Sequence, residues 1–196
     1  MKKLHLILGF TSALALSACG GNETTTTTTN TVTTDNGVVV PADANLADNA
    51  LTTGEPLSPA QKFVNEVGAS DYFEVEAGKI AQDKAKAQTL KDFGKLMVEH
   101  HNASTEKLKT AAGKASPVIA PNPALNTEQE ANLEALRQAD DAAFDALYKT
   151  QQVAAHEKAL AAVKAYAAGG EVAELKAFAK EAEKVVQAHL TKIKSL

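Results

Sequence analysis

The sequence predicts an all-α protein built as a bundle of four main helices. Hydrophobic residues make up 44% of the 196 residues but aromatic residues only 5%, so the core consists mainly of Ala, Leu and Val. Trp is absent and Ile, Tyr and Phe are few, which leaves too few strand-forming residues for a sandwich or barrel of this length. Apolar residues also recur at helical spacing along the second half of the chain.

The N-terminus carries a signal for export and lipid attachment. Met1-Lys2-Lys3 is a short basic region, and residues 4–16 form an apolar stretch too short to span a membrane. Leu16-Ser17-Ala18-Cys19 has the form of a lipobox and contains the only cysteine. An ordinary secretory signal would need no cysteine at this place. The sequence therefore predicts a signal peptide at residues 1–18 and a lipid on Cys19 that attaches the protein to a membrane.

A polar segment at residues 19–57 separates the predicted lipid from the helical domain. From Gly20 to Leu57 there is no Lys, Arg or aromatic residue, and six threonines follow one another at Thr24–Thr29. Such a composition cannot bury enough apolar surface to offset the entropy lost on ordering, so we expect a disordered tether. Gly20 follows the cysteine where an aspartate would favour the inner membrane, which predicts the outer membrane, with the protein facing the periplasm.

The helical domain is predicted at residues 58–196 and begins with a hairpin. Ser58-Pro59-Ala60-Gln61 has the pattern of a capping box with proline at the first helical position, and Ser70 offers a second start. Apolar spacing then predicts helix one to about Ala87 and helix two from about Thr89 to Ala112.

The next segment, residues 114–126, contains three prolines and is predicted to be extended. Thirteen extended residues reach about 40 Å, which is enough to cross a bundle. A long second connection between two tight hairpins is the arrangement of ferritin-like folds, so we expect a ferritin-like four-helix bundle with its long connection between helices two and three.

The second hairpin follows this connection. Thr127 with Glu130 predicts the start of a single long helix three that runs to Ala168. Gly169-Gly170 ends it, and helix four is predicted from about Glu171 to Lys194.

Four side chains with metal-binding chemistry fall on the predicted apolar stripes: Glu76, His100, His156 and His189. Buried imidazoles and carboxylates need partners. Two interpretations satisfy this requirement. One is a hydrogen-bonded network of these residues with Asp145, Tyr148 and Gln152 that fixes helix register. The other is a divalent metal ion, copper, zinc or iron, held by neutral imidazoles and Glu76.

Axial positions predict which of these residues meet. Glu76 and His100 are equally distant from Gln88, which predicts that they are partners across the first hairpin. His156 and His189 are offset by about 10 Å, so the histidines on the apolar stripes are not expected to share one ion. His101 points about 100° away from His100 and is expected at a solvated edge.

Five segments together resemble a widespread family of bacterial exported proteins of unknown function. They are Glu74–Ala81, Met97–His100, Phe144–Tyr148, Gln152–His156 and His189–Leu190. The resemblance implies a ferritin-like fold and a periplasmic or secreted location, and members are often labelled outer-membrane or secreted proteins. It implies no established activity.

The family pattern is not followed everywhere. Glu99 fills the place of the acidic residue before the histidine of helix two, but the usual proline of helix four is replaced by Val185-Val186. A di-iron centre in a ferritin-like bundle needs two Glu-x-x-His motifs. The corresponding pairs here are Met97 with His100 and Val186 with His189, which argues against ferroxidase chemistry.

The sequence predicts a binding protein rather than an enzyme. No nucleophile, zinc-protease or phosphate-loop motif is present. The net charge is −4 with five acidic residues in the tether, so no basic surface for nucleic acid is expected. The leading prediction is a lipid-anchored envelope protein with a non-enzymatic helical domain that binds an unidentified partner in the envelope, either another protein or a metal ion. The alternative is a periplasmic metal-binding protein, with a metal-dependent enzyme ranked below both.

Replacing Cys19 by alanine should release the protein from the membrane fraction, because the lipid is the only apolar anchor that the sequence predicts. The measurement compares wild type and Cys19→Ala in membrane and soluble fractions after a high-salt wash. A variant that still sediments with membranes would contradict the lipid anchor.

Overall fold

A computed structural model describes residues 56–196 and contains five helices. They are α1 (Pro59–Lys84), α2 (Gln88–Gly113), α3 (Thr127–Gln138), α4 (Phe144–Gly169) and α5 (Ala173–Ser195). The predicted all-α class is confirmed. None of these helices combines the length and apolar character of a membrane span. The predicted lipobox, Cys19 and most of the tether lie outside the described residues.

The first helix begins where the capping pattern predicts. The Ser58 side chain accepts a hydrogen bond from the Gln61 N–H at 3.1 Å, and Pro59 occupies the first helical position. The helix then continues through Ser70, so the second start predicted there is not used. Apolar residues on both sides of Ser70, including Val67 and Phe73, are buried on one continuous face.

The hairpin of α1 and α2 is held at a close backbone contact. A Cβ atom built at Gly78 would lie 2.6 Å from the Gly94 carbonyl oxygen, and the reverse construction gives the same distance. No side chain fits at either position, so glycine permits the two helices to touch. Asp145 fixes the turn, since its carboxylate accepts the Lys86 and Ala87 N–H groups at 2.9 and 3.0 Å.

The long connection after α2 is confirmed, and it packs along α1. Gln61 donates to the Ala120 carbonyl at 2.8 Å, and Asn65 accepts from the Asn122 N–H at 3.0 Å. Gly68 lies beside Pro123, with 3.7 Å from its constructed Cβ to the proline ring. Residues 114–126 therefore start the return of the chain toward the opposite end of the bundle.

The prediction of a single long helix three from Thr127 to Ala168 is wrong. The helix is interrupted between Gln138, the end of α3, and Phe144, the start of α4. The Asp140 carboxylate accepts the N–H groups of Ala142 and Ala143 at 3.0 and 2.8 Å. Aspartate competes in this way with the helical backbone, which is why it favours caps over helix interiors. Lys84 covers the end of α3 by donating to the Ala139 carbonyl at 2.7 Å.

The N-cap of α3 also lies one residue earlier than predicted. Asn126, not Thr127, is the N-cap: its side chain accepts from the Gln129 N–H at 2.9 Å, and the Gln129 side chain accepts from the Asn126 N–H at 3.0 Å. This reciprocal pair is a capping box shifted by one residue from Thr127 and Glu130.

The four long helices form the bundle, and α3 packs against α1 and α4. Buried apolar residues form two clusters. One gathers the start of α1, the end of α2, the end of α4 and the start of α5, and the other gathers the opposite halves of these helices. The helices α2 and α4 therefore run parallel to each other and antiparallel to α1 and α5. This order needs one long crossover, as the connection length predicts.

Candidate metal centre

Three histidine side chains meet in the interior between the two apolar clusters. His101 comes from α2, His156 from α4 and His189 from α5, and all three are buried. Their ring centroids are 5.4–5.8 Å apart. One nitrogen of each ring lies within 4.8 Å of a nitrogen of each of the other two rings.

One nitrogen of each ring is held from outside the cluster. His101 Nδ1 lies 2.7 Å from an Asp71 carboxylate oxygen, and His156 Nδ1 lies 2.8 Å from the Gln152 carbonyl. Both partners accept hydrogen bonds, so both Nδ1 atoms carry the proton and donate. His189 Nε2 lies 2.8 Å from His100 Nδ1. These contacts fix the orientation of all three rings.

The remaining ring nitrogens have no hydrogen-bond partner among the described residues. They are His101 Nε2, His156 Nε2 and His189 Nδ1. With the opposite nitrogen donating to a carboxylate or carbonyl, the free nitrogen of His101 and of His156 presents a lone pair. Metal-binding histidines are commonly arranged in this way, with the non-ligating N–H donated to a carboxylate or backbone carbonyl.

The histidine nitrogens that lie within 4.8 Å of one another are close to the spacing of a metal site. Metal–nitrogen bonds of 2.0–2.1 Å place imidazole ligands about 3.4 Å apart in tetrahedral geometry. The rings therefore need to approach by about 1 Å or a little more to hold one ion.

Burial keeps two of the rings neutral. Burial, together with the neighbouring His101, His156 and His100 rings, lowers the pKa of His189 to about 2. Burial also lowers the pKa of His156, although the charge of Glu74 opposes it. Neutral imidazole is the form that binds metals, so neither ring has to lose a proton near pH 7 before it can ligate.

His101 differs from the other two rings. Burial alone would lower its pKa, but the hydrogen bond to Asp71 and the charges of Glu74 and Asp71 outweigh burial, so the pKa is raised. The protonated ring would place a positive charge at the centre. A metal ion bound there competes with this proton.

Two buried carboxyl groups border the histidines. Asp71 holds His101, and Glu74 Oε1 lies 3.6 Å from His156 Nδ1. Glu74 Oε2 has no hydrogen-bond partner, and no described Lys or Arg forms an ion pair with either acid.

Further buried polar atoms have no hydrogen-bond partner among the described residues. They belong to Tyr148 and to both ends of the Gln152 amide. Burial, with the charge of Glu74, raises the pKa of Tyr148 well above its usual value, so the phenol stays protonated. The polar stripe predicted on the fourth helix is thus interior at Tyr148, Gln152 and His156, whereas Asp145 serves the α1–α2 turn.

The structure brings together only part of the predicted site. His156 and His189 meet, but Glu76 lies outside the cluster, with its carboxylate 2.7 Å from Lys79 Nζ at the surface. The predicted partnership of Glu76 with His100 is wrong. His100 is at the edge and contacts His189. The expectation of a solvated His101 is also wrong, since this residue is only 5% exposed.

The position of the first turn explains these errors. The turn covers Ala85–Ala87, whereas the prediction placed its centre at Gln88. Asp71 and His101 are each fifteen residues from Lys86, so they lie at the same level of the hairpin. When α1 ends at Lys84 and α2 begins at Gln88, equal distances from the two helix ends pair Asp71 with His101.

The second hairpin explains why His156 and His189 meet. His156 lies 13 residues before Gly169, the end of α4, and His189 lies 16 residues after Ala173, the start of α5. The axial offset between helix ends is therefore about 4.5 Å, not the 10 Å predicted from the glycines. Helical side chains lean toward their own N-terminus, which brings these two rings toward each other.

Metal-free protein should lose stability as the pH falls below about 6.5, the pKa of an unfolded histidine. Folded His189 and His156 have lowered pKa values, so the unfolded chain binds protons that the folded chain does not, and acid favours unfolding. His101, with its raised pKa, contributes in the opposite sense: its stabilisation is present at low pH and is lost as pH rises through its folded pKa.

The test measures urea unfolding of wild type and His189→Gln between pH 6 and pH 5 in the presence of a chelator. The dependence of the unfolding free energy on pH should fall in the variant by nearly one proton, or about 1 kcal/mol per pH unit. Equal slopes for the two proteins would mean that His189 is protonated in the folded state.

Comparison with known proteins supports the fold and identifies the family. A family model described as "Domain of unknown function (DUF4142)" matches residues 41–196. None of the curated proteins compared with the chain matches it. The chain is similar to a solved structure of CopM in the Cu(I)-bound form, with 17% identity and a TM-score of 0.58 over 71% of this chain and 95% of that chain. At this identity the likeness shows a shared fold alone. Because the family model covers most of the sequence, the chain belongs to the DUF4142 family of unknown function.

Proposed function

We propose that the protein binds one copper or zinc ion through His101, His156 and His189 in a domain attached to the outer membrane by a lipid. One observation carries the metal-binding part. Three buried histidines each offer one ring nitrogen within 4.8 Å of a nitrogen of the other two, and each has one ring nitrogen with no hydrogen-bond partner among the described residues while its other nitrogen is held in place. A metal ion would satisfy all three nitrogens at once.

The donor set supports copper or zinc over other ions. Imidazole nitrogen suits copper and zinc, whereas magnesium and calcium need oxygen ligands. A di-iron centre is not supported, because bridging carboxylates are missing: the residues three positions before His101, His156 and His189 are all valine. The carboxyl groups of Asp71 and Glu74 lie close enough to offset the charge of the ion without binding it.

The similarity in fold to CopM supports copper as the ion. CopM was solved in the Cu(I)-bound form, so a helical bundle of this shape holds copper in that protein. Cu(I) also accepts three neutral nitrogen ligands. Zinc fits the same nitrogens, and the two ions are distinguished by the measurement below.

The competing proposal is a purely structural network, as one sequence interpretation predicts. In that case the imidazoles would serve only to connect helices through hydrogen bonds. The contacts to Asp71, Gln152 and His100 fit both proposals, and the metal site in addition gives the three free ring nitrogens a partner. Each buried polar atom without a partner costs about 1–3 kcal/mol, which is a large cost for a network with no other role.

The location is proposed on the lipobox at Leu16–Cys19 and the polar segment that follows it. A lipid anchor and a tether would hold the metal-binding domain near the membrane in the periplasm, where it could meet another envelope protein. No catalytic step is proposed for the domain.

The metal-binding test uses the full mature protein in detergent, dialysed against Zn(II) or, without oxygen, against Cu(I). We expect one ion per chain, with His101→Gln, His156→Gln and His189→Gln each lowering affinity by at least about 100-fold, since each removes a ligand. Asp71→Asn should lower it by about 10–100-fold, because it frees the His101 ring. Glu76→Gln is the matched control and should bind as wild type.

Unfolding gives an independent readout of the same proposal. At a free metal concentration 100 times the dissociation constant, binding should stabilise wild type by about 2.7 kcal/mol, and the histidine variants should gain nothing. A wild-type protein with no bound ion and no metal-dependent change in stability would contradict the proposal and leave the structural network.

A further inference from the structure

The ring nitrogens that lack a hydrogen-bond partner are closed off from solvent. They are His101 Nε2, His156 Nε2 and His189 Nδ1, and all three atoms are buried. An ion in solution therefore does not reach them in the conformation that the structure describes. At least one of the three rings has to move before an ion can enter the proposed centre.

The three rings differ in what holds them. His101 Nδ1 lies 2.7 Å from a carboxylate oxygen of Asp71, which is itself buried, and His156 Nδ1 lies 2.8 Å from a carbonyl of its own helix. His189 Nε2 lies 2.8 Å from Nδ1 of His100, which is exposed. Because the partner of His189 is the only one of the three at the surface, this contact is the one that an ion from solvent can replace directly.

A cavity of about 250 Å³ between α1, α2, α4 and α5 is lined by both His100 and His189. Exposed residues such as Glu66 and Glu181 also line it, so it opens to solvent. His101 lines it too but is buried, which leaves His100 as the exposed histidine of the lining. A cation that enters the cavity can therefore reach His100 without a change in conformation.

The charges of the cavity favour a cation. Its lining contains the carboxyl groups of Glu66, Asp71 and Glu181 but, among the described residues, one basic side chain, Lys107, whose Nζ lies 3.8 Å from Glu181. Two serines also line the cavity, and most of the remaining lining is apolar. A surplus of negative charge around a concave surface raises the local concentration of cations. The cavity therefore attracts a cation toward His100.

The contact between His100 and His189 also offers a lone pair for metal binding. A metal bound to His189 through Nδ1 requires the proton of this ring on Nε2. That N–H then donates to His100 Nδ1, which accepts with its lone pair. The same lone pair can bind a metal ion. An ion bound at His100 Nδ1 takes the place of this hydrogen bond and lies directly beside the His189 ring.

We propose that His100 is the entry ligand of the metal centre: it binds a zinc or copper ion from the cavity and transfers it to His189. The inference rests on the proposed function, because it requires an ion bound by the buried histidines. In the transfer, His189 turns its Nδ1 toward the ion. The bond from the metal to His100 breaks as the bond to His189 forms, and the proton of His189 stays on Nε2. The ring then returns to the interior with the ion, where His101 and His156 bind it.

The test measures the rates at which the mature protein in detergent takes up and releases Co(II), a coloured substitute for Zn(II). Stopped-flow absorbance follows loading, and excess EDTA starts release. His100→Gln removes the entry ligand but keeps an oxygen that can accept from the Nε2–H of His189. Both rates should fall at least about 10-fold, since one imidazole ligand is worth more than a factor of ten in metal binding. The dissociation constant should stay that of wild type, because entry and release use the same path.

Asn102→Gln is the matched control, since Asn102 is exposed on the same helix and does not line the cavity. It should load and release the ion at wild-type rates. His100→Ala lacks the acceptor as well as the entry ligand and should also load slowly. Faster loading of His100→Ala would mean that His100 only keeps the centre closed, and this result would overturn the inference.

The remaining outcomes separate this inference from the proposed function. If Co(II) fails to bind the wild type, both fall together. If Co(II) binds and His100→Gln keeps wild-type rates, the inference alone is overturned. It is also overturned if His100→Gln releases the ion faster and binds it more weakly, because His100 would then be needed in the loaded state rather than for entry.

Discussion

The structure depends on a layer of buried imidazole and carboxyl groups placed between two apolar clusters of one bundle. His101, His156 and His189 meet there with Asp71 and Glu74, and the apolar clusters above and below exclude water from them. Polar groups in such a position are costly unless each has a partner. The register of every long helix must therefore bring these residues to one level. The glycine contact between α1 and α2 serves this requirement, because it fixes the level at which Asp71 faces His101.

Much of the fold can be predicted from the sequence, because helix ends depend on local chemistry. Ser58 and Pro59 start α1, and the prolines after α2 force a long connection, as expected. Helical periodicity continues across Asp140 and therefore predicts no break there, although paired aspartates inside a helix are a signal of capping. The level of facing residues could not be predicted as well, because moving a turn by two residues changes which carboxyl group meets a histidine. For this reason the sequence predicts Glu76 where the structure has Asp71 and Glu74, and it predicts an edge position for the buried His101.

The family resemblance is supported at the level of a family of unknown function, since the chain belongs to DUF4142. Its lipoprotein and ferritin-like descriptions stay predictions, and the lipobox lies outside the described residues. The two sequence interpretations of the buried polar residues now differ in what they must explain. A structural network accounts for the contacts of Asp71, Gln152 and His100. A metal site accounts for these and also for the three ring nitrogens that have no partner in the described domain.

The most direct measurement is X-ray absorption at the metal edge of the protein loaded with one equivalent of copper or zinc. The account predicts three imidazole nitrogens at about 2.0–2.1 Å and, for zinc, one further light atom. The same spectrum from His156→Gln should lose one imidazole, because that ring lies deepest in the site. A first shell dominated by carboxylate or sulfur atoms, or one unchanged by His156→Gln, would contradict the assignment of the ion to the buried histidines.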